Sequence, residues 1–505
     1  MGSAEAVTAE GWRDELALGE RSRLLGVKEW MGQRPAWFRE PVVFLWRHRP
    51  AMWGRGRATA RLRDSLLARI EAMERASPGD VRRTELELAK GMMIYAYERV
   101  PWYREAYRAA HVDPRDIGDL GDLSEFPTVG KGDVRDHPEA FLAEGFPKER
   151  LGVLTTSGST GTPLALYHDA FTTDVVEEAF YERILRRASC PMGLNTRRVV
   201  LRGWRPPPER KHEFGPDSLT LSSFHLTSEH LPEFLATIRR FRPEAVFCYP
   251  SAGETLARYV LEHGEEPLPG LRVVFLASET VHEGQRELLS RAFGARAFAA
   301  YGHAERCVVA GECEYSTAYH IEPLYGLVEL APLQDGGGRN DALCEIIATG
   351  FWNRAMPLIR YRTMDLARRK ADQVCRCGRP YLLLEQIEGR LQNLVVTRTG
   401  RTLAHIWAHG PAFDHVREMQ FYQPRAGVLI LRFVPTSSFC EDDIQRIRAH
   451  FTPMLGDDIE LGFCPAEAIP RTRSGKRLWL VQEPRVREAL EASGHVRAEG
   501  LGDDR

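Results

Sequence analysis

The stretch AVFCYPSAGETLARYVLEHGEEPLPGLRVVFLASETVHEGQRELLSRAFGARAFAA, residues 245–300, decides the fold. In it, the short apolar runs AVFCY and RVVFLAS alternate with the amphipathic segments SAGETLARYVLEHG and GQRELLSRAFG, and AFAA follows. Strands alternating with helices predict α/β layers around a largely parallel sheet. The pattern extends upstream through RRVVLRG at 197–203 and LPEFLATIRRF at 231–241. From about 10 to 115 the spacing of apolar residues is helical, as in RLRDSLLARIEAMERA and RTELELAKGMMIYAYERV, with Pro101 and Pro114 as punctuation. Residues 324–400 read as strand-rich (YGLVEL, CEIIAT, LARRKA, NLVVTR). Residues 400–485 mix strands (GVLILRFV) with a helix (EDDIQRIRAHF), as a small α+β unit joined near Gly389.

Composition narrows the function classes. The chain has 505 residues, 43% hydrophobic and 27% charged, which is enough apolar content for a core and excludes disorder as the main state. Lys+Arg is 68 against Asp+Glu 70, a net charge of -2. That balance, with no basic tract interleaved with aromatics, argues against nucleic-acid binding. No uninterrupted apolar run reaches the roughly 18–20 residues of a membrane span, and the polar first residues hold no signal core, so a cytoplasmic location and no membrane partner are expected. Nine cysteines without an export signal make a disulfide framework unexpected, and the close pair Cys375 and Cys377 invites a metal reading. Only seven of the 68 basic residues are lysines, so a lysine inside a motif carries unusual weight.

Five motifs carry chemistry. In Thr155-Thr156-Ser157-Gly158-Ser159-Thr160-Gly161-Thr162-Pro163 the glycines let backbone approach an anion, and hydroxyls and N–H groups can donate to phosphate oxygens. The loop precedes LALYH, a strand pattern, and so joins two strands. It lacks the G-K-[ST] of a P-loop, which discriminates against a P-loop phosphohydrolase. Tyr301-Gly302-His303-Ala304-Glu305 puts a carboxylate at a strand end, where it can hold Mg²⁺ arriving with nucleotide phosphates. Asp365, in Arg360-Tyr361-Arg362-Thr363-Met364-Asp365, can accept two hydrogen bonds from a ribose diol. Ile387-Glu388-Gly389-Arg390 and Pro470-Arg471-Thr472-Arg473-Ser474-Gly475-Lys476 complete the set.

In this order and at these separations, the motifs resemble those of the adenylate-forming (ANL) superfamily, and more closely its phenylacetate–CoA ligase and CapK-like branch. VPWYREAYRAAHVDP, LSEFPTVGKGDVR, SSFHLT, CYPSAGETLA, ASETV, YGHAE, NRAMPLIRYRTMD and IEGR carry the resemblance, from about Val100 to Val486. It implies a large N-terminal α/β adenylate-forming domain with a small mobile C-terminal α+β domain. The expected division is a helical region packed on the main domain at 1–110, the large core at 111–388 and the small domain with the SGK lysine at 389–505. It further implies ATP-dependent activation of a carboxylic acid, of aryl type, as an acyl-adenylate with release of pyrophosphate, then transfer to CoA.

Carried onto this sequence, the loop from Thr155 through Gly161 holds the β- and γ-phosphates, and Glu279, Tyr301 and Gly302 belong to the ATP site. Asp365 and Arg390 bind the ribose, and Glu305 ligates Mg²⁺. Lys476 bridges the substrate carboxylate and the α-phosphate, a role that suits a compact charge on a flexible stem. Phe224, His225, Tyr249, Ser251, Ala277, Ser278 and His303 fall on the acyl-pocket segments, where an aryl acid could stack. Trp204 and Arg202 are further candidates. Cys313, His320, Cys375 and Cys377 form a thiolate and imidazole set for structural Zn²⁺, with Cys307 as a competing fourth ligand.

Three departures from the family pattern stand out: Thr162 replaces a common lysine, Met364 replaces a glycine, and Gln392-Asn393 replaces an acidic hinge. The hinge pair and the missing loop lysine keep other acceptors open, namely an amine or hydroxyl in an amide- or ester-forming synthetase, or a deazaflavin coenzyme receiving AMP. A non-enzyme alternative is a zinc-stabilised binding protein on a decayed scaffold.

Overall fold

The computed structural model describes residues 54–155, 164–190, 196–204, 211–215, 217–333, 343–390, 394–400, 402–403, 411–472 and 474–486. Helices α1 (Gly54–Met73), α2 (Pro78–Arg99) and α3 (Pro101–Ala109) come first. Ser77 caps α2 by accepting from Asp80 N, and Pro78 occupies a first-turn position where no amide donor is missed. Val100 and Pro101 then break the chain into α3, because the residue before a proline is pushed to extended backbone. Met92, Met93 and Ala96 of α2 and Tyr103 and Tyr107 of α3 are buried in the main core. After α4 (Lys131–Asp136), strands β1 (Gly152–Thr155) and β2 (Ala165–His168) pair antiparallel, so the hydroxyl-rich loop does join two strands. The next helix is α5 (Ala170–Arg187).

Twelve strands then form one sheet. They are β3 (Arg198–Arg202), β4 (His212–Phe214), β5 (Ser218–Ser222), β6 (Ala245–Cys248), β7 (Val273–Leu276), β8 (Arg296–Gly302), β9 (Val309–Gly311), β10 (Tyr319–Ile321), β11 (Gly326–Pro332), β12 (Leu343–Gly350), β13 (Tyr361–Arg369) and β14 (Leu383–Arg390). Their order is β11-β12-β13-β14-β10-β9-β8-β7-β6-β3-β5-β4. Neighbours from β5 through β3, β6 and β7 to β8 are parallel; the others are antiparallel. Helices α6 (Leu231–Phe241), α7 (Pro250–Glu262) and α8 (Gln285–Phe293) make the crossovers that parallel strands require.

Alternation along the strands divides two cores. Val274 and Leu276 of β7 join one hydrophobic cluster, while Val273 and Phe275 join the other with Phe180 and Ile184 of α5. In β8, Ala297, Ala299 and Tyr301 face the first, and Phe298 and Ala300 the second. The period of two thus places helices on both faces of a buried sheet. The molecule is an α/β protein of layered architecture, as its periodicity predicts.

Beyond the large sheet, β15 (Val395–Val396) and β16 (Thr402–Leu403) form a small pair. Strands β17 (Val416–Arg425), β18 (Val428–Pro435), β19 (Glu460–Pro465) and β20 (Leu480–Gln482) make a second sheet, ordered β19-β18-β17-β20. Helix α9 (Glu441–Leu455) covers it, with Ile447 and Phe451 packed among Phe421, Phe433 and Leu431 in a cluster of its own. Among the described residues, no helix is long and apolar enough to cross a membrane.

Candidate active site

Four of the five chemistry-bearing motifs meet near the ends of the parallel strands. β8 delivers Tyr301 and Gly302, and the turn after it delivers His303 and Glu305. The turn is tied to α5 by Arg306, whose Nη1 donates to Thr173 Oγ1 at 2.8 Å and whose Nε lies 3.1 Å from Glu177. Glu305 is 11% exposed; Tyr361 Oη donates to its Oε1 at 3.3 Å, and His303 Nδ1 lies 3.0 Å from its Oε2. The His303 contact has the distance of an ion pair without the alignment of a good hydrogen bond. Burial alone raises a carboxyl pKa, but the imidazole beside Glu305 outweighs it and holds the group at about 2. His303 moves the other way: burial lowers it, and the Glu305 charge raises it above its ordinary value.

Asp365 lies on β13 directly opposite Arg390 of β14. Tyr301 Oη donates to its Oδ2 at 2.7 Å, and Arg390 Nε is 3.5 Å from its Oδ1. Met364, just before it, has φ +61, a left-handed conformation. That geometry explains why a glycine suits this position: an L side chain there is disfavoured by roughly 1–2 kcal/mol.

The SGK segment reaches this face from the second sheet. Thr472 N donates to Lys476 O at 2.9 Å, and Gly475 has φ +75, so Thr472 and Lys476 close a tight turn. Three contacts seat the turn on the large sheet. Ser223 Oγ donates to Gly475 O at 2.9 Å, Tyr249 Oη to Ser474 O at 3.4 Å, and Arg477 N to Glu279 Oε1 at 3.1 Å. Lys476 Nζ stands 5.6 Å from the Tyr249 ring centroid, within cation–π range. Burial lowers the pKa of its ammonium, while the charges of Glu279, Asp365 and Glu305 pull it back up.

Of the acyl-pocket residues, Tyr249 sits at the start of α7 and faces the SGK turn. Ser251 is engaged elsewhere: its N and Oγ donate to Glu279 at 3.0 and 3.1 Å. Phe224 and His225 lie half-buried after β5, and His225 packs edge-on to His230 at 5.9 Å. Ala277 is half-buried just past β7, and Ser278, exposed, has φ +71. Thr155 ends β1, whereas Thr156, Ser157, Gly158, Ser159, Thr160, Gly161 and the hinge pair Gln392-Asn393 lie outside the described residues.

A second cluster sits on the antiparallel half. The ligand atoms of Cys313, His320, Cys375 and Cys377 all lie within 4.8 Å of one another. Cys313 and Cys375 sulfurs are 3.6 Å apart, and Cys377 Sγ is 3.2 Å from His320 Nε2. His320 Nδ1 is 3.0 Å from Ala318 O, which leaves Nε2 as the ligating nitrogen. Three sulfurs and one imidazole nitrogen fit tetrahedral Zn²⁺. Cys307 is not among them. It is buried beside the Glu305 backbone, with its Sγ 3.4 Å from Glu305 O, and burial raises its thiol pKa well above the ordinary value. Next to the cluster is a buried charge network. Arg379 pairs with Glu314 at 2.7 Å and with Glu74 at 3.0 Å. Glu74 also binds Arg183 and Arg187, and Arg187 binds Glu322 at 2.6 Å.

No protein-family model matches the chain. It is 28% identical to the phenylacetate–coenzyme A ligase of Thermus thermophilus over 334 residues, covering 63% of this chain and 72% of that one. It is 21% identical to protein CapK of Staphylococcus aureus, covering 77% and 86%. In sequence the chain is thus similar to phenylacetate–CoA ligases and to CapK. A solved structure of an adenylate-forming neighbour, 2-hydroxyisobutyryl-CoA ligase in its postadenylation state, superposes with a TM-score of 0.64 at 18% identity, covering 83% of this chain and 93% of that one. The same enzyme in its thioesterification state gives 0.51.

The five sequence motifs do not include every group at this junction. Glu254 on α7 receives Arg477 at 2.7 Å, Arg258 at 3.0 Å and Gln285 Nε2 at 2.8 Å. Glu418 on β17 accepts from Thr255 Oγ1 at 2.8 Å and pairs with Arg471. Both clusters join α7 to the second sheet. The sequence carries a weak signal for them: Arg471 and Arg477 flank the SGK turn, and Glu254 lies within CYPSAGETLA.

Proposed function

We propose that this chain activates a carboxylic acid, of aryl type, with Mg-ATP and passes the acyl group to CoA. The observation that carries the reading is convergence: Lys476, Tyr301, Glu305, Asp365, Arg390 and Glu279 come from five separate segments and meet on one face. Attack of a carboxylate oxygen on the α-phosphorus forms a C–O–P anhydride and expels pyrophosphate. Two anions must approach, so the site needs a cation where negative charge accumulates. Lys476 supplies it from a half-buried position, where a charge acts more strongly than in water. Asp365 accepts from the ribose diol, and Arg390 and the Tyr301 hydroxyl hold its carboxylate in place. Glu305 would hold Mg²⁺, which would supply charge neutralisation for the phosphates, and His303 orients Glu305 while bordering the acyl pocket. Tyr249 and Phe224 offer aromatic faces to the acid.

In the same reading, residues 389–505 are a small domain seated on the large one in the arrangement suited to adenylation. Cys313, His320, Cys375 and Cys377 would hold a structural Zn²⁺, which would pin the segment after Glu305 to the strand pair that ends at Arg390.

The test is acid-dependent exchange of pyrophosphate into ATP across a panel of aryl acids, with and without CoA. Exchange that requires an acid, with thioester forming only when CoA is added, supports the reading. Product that ignores CoA and appears with amines moves the acceptor to an amide-forming synthetase. Bound nucleotide with no exchange for any acid refutes acid activation.

A further inference from the structure

We propose that Gly203 is the seat on which the Lys476 turn docks, making it a positioning residue for acid activation. The inference rests on the reading above and extends it to a residue outside the adenylate-forming motifs. A Cβ added at Gly203 would stand 1.5 Å from Ser474 O, 2.2 Å from Ser474 C and 2.7 Å from Gly475 N. These three nearest atoms are all backbone of the docking turn. The contact is reciprocal: a Cβ at Gly475 would stand 2.3 Å from Gly203 Cα and 2.5 Å from Ser223 Oγ. Two glycine backbones therefore meet where the second sheet's turn touches the large sheet.

The seat itself is fixed. Trp204 N donates to Arg202 O at 2.7 Å, and Ser222 Oγ donates to Trp204 O at 2.7 Å, so residues 202–204 are tied between the ends of β3 and β5. Gly203 is absent from the positive-φ glycines, so alanine fits its backbone conformation. What alanine forbids is the turn's approach. Backbone cannot rotate away as a side chain can, so the turn must retreat by roughly 1.5–2 Å to restore van der Waals separation. A displacement near 1 Å at a reacting group can lower a rate by about 100-fold.

The experiment uses the full chain as wild type, Gly203→Ala and Ser223→Ala, the last removing the donor to Gly475 O. Acid-dependent pyrophosphate exchange is measured beside labelling of lysines by an amine-reactive reagent in Mg-ATP, mapped by mass spectrometry. With only seven lysines, Lys476 is read against Lys90 and Lys148 as internal controls. In Gly203→Ala, exchange falls by about 100-fold or more and Lys476 labels about tenfold faster, with the controls and the melting temperature unchanged. Ser223→Ala shifts both readouts the same way by about 3- to 10-fold, the effect of one lost hydrogen bond.

Exchange and Lys476 protection both at wild-type levels in Gly203→Ala would overturn the proposal. So would lost exchange with Lys476 still protected, since the turn would then be docked. If Gly203→Ala does not fold, wild-type behaviour of Ser223→Ala in both assays overturns it. Wild type that exchanges with no acid refutes the acid-activation reading instead, and labelling still reports whether Gly203 seats the turn.

Discussion

Replacing Glu254 by Gln should unseat the second sheet from the first. Glu254 is 5% exposed and its partner Arg477 2%. Arg258, at 14% exposed, shares the same carboxylate. Glutamine keeps the shape and removes the charge, leaving a buried guanidinium without its counter-ion. Stranding one member of a buried pair destabilises by about 3–5 kcal/mol. The penalty falls on the docked arrangement, because Arg477 regains water when the turn lifts away. At about 1.4 kcal/mol per factor of ten, even 3 kcal/mol shifts docking by roughly 150-fold. Acid-dependent pyrophosphate exchange should therefore drop by about two orders of magnitude. The double variant Glu254→Gln/Arg477→Gln should recover part of the loss, since no charge is then stranded.

The pH dependence follows from the same carboxylate. Burial pushes Glu254 up, but Arg477 and Arg258 outweigh it and hold it at about 2, below its usual 4.5. A depressed carboxyl contributes stability that is fully present above 4.5 and lost as pH falls toward 2. The effect of the substitution should be equal at pH 6 and pH 8. Exchange within about threefold of wild type, a shift below 1 kcal/mol, would refute the argument that this pair holds the docked state.

Lys476→Ala should lower exchange by about 100- to 1,000-fold, the range for losing one group that stabilises developing charge; an unchanged rate removes Lys476 from the chemistry. Because burial lowers the Lys476 pKa from 10.5, wild-type exchange should fall on the alkaline side before an ordinary lysine deprotonates. That limb should vanish in Lys476→Arg, and its persistence there would assign it to another group. Purified protein should contain zinc by elemental analysis. Cys375→Ser should lose the zinc and melt roughly 5 °C lower, about 2 kcal/mol in a domain of this size; zinc-free protein with wild-type melting would refute the structural role.

The sequence made the layered sheet legible because strands buried on both faces, such as Val273–Leu276, read as unbroken apolar runs between helical segments. The ribose-type pair was legible for a similar reason: Asp365 and Arg390 belong to short motifs on adjacent strands. The four metal-type ligands were also readable, because they fall in two compact segments. Long-range charge pairing was not. Glu254 and Arg477 are 223 positions apart and neither has a local pattern that marks it as buried. Cys307 misleads by proximity: it lies near Cys313 in sequence, yet β9 stands between them, and its sulfur ends against the Glu305 backbone. Ser251 offers a hydroxyl at the start of α7 that Glu279 already occupies, a competition only tertiary structure reveals.

Glu74 has a consequence for where the folding unit begins. The motifs that carry the resemblance begin near Val100, which invites removal of everything before it. A chain shortened to begin at Ser77 keeps each motif and loses the carboxylate that Arg183, Arg187 and Arg379 share. Arg187, 1% exposed, would then lie near the Arg379 charge, with Glu322 left to Arg187 and Glu314 to Arg379. Arg379 directly follows the Cys375–Gly378 turn, so repulsion between the guanidiniums is delivered to the cysteines. The start of the resembling motifs and the start of the folded ionic network are different places in this protein, and Glu74 lies some twenty-five residues upstream of the first.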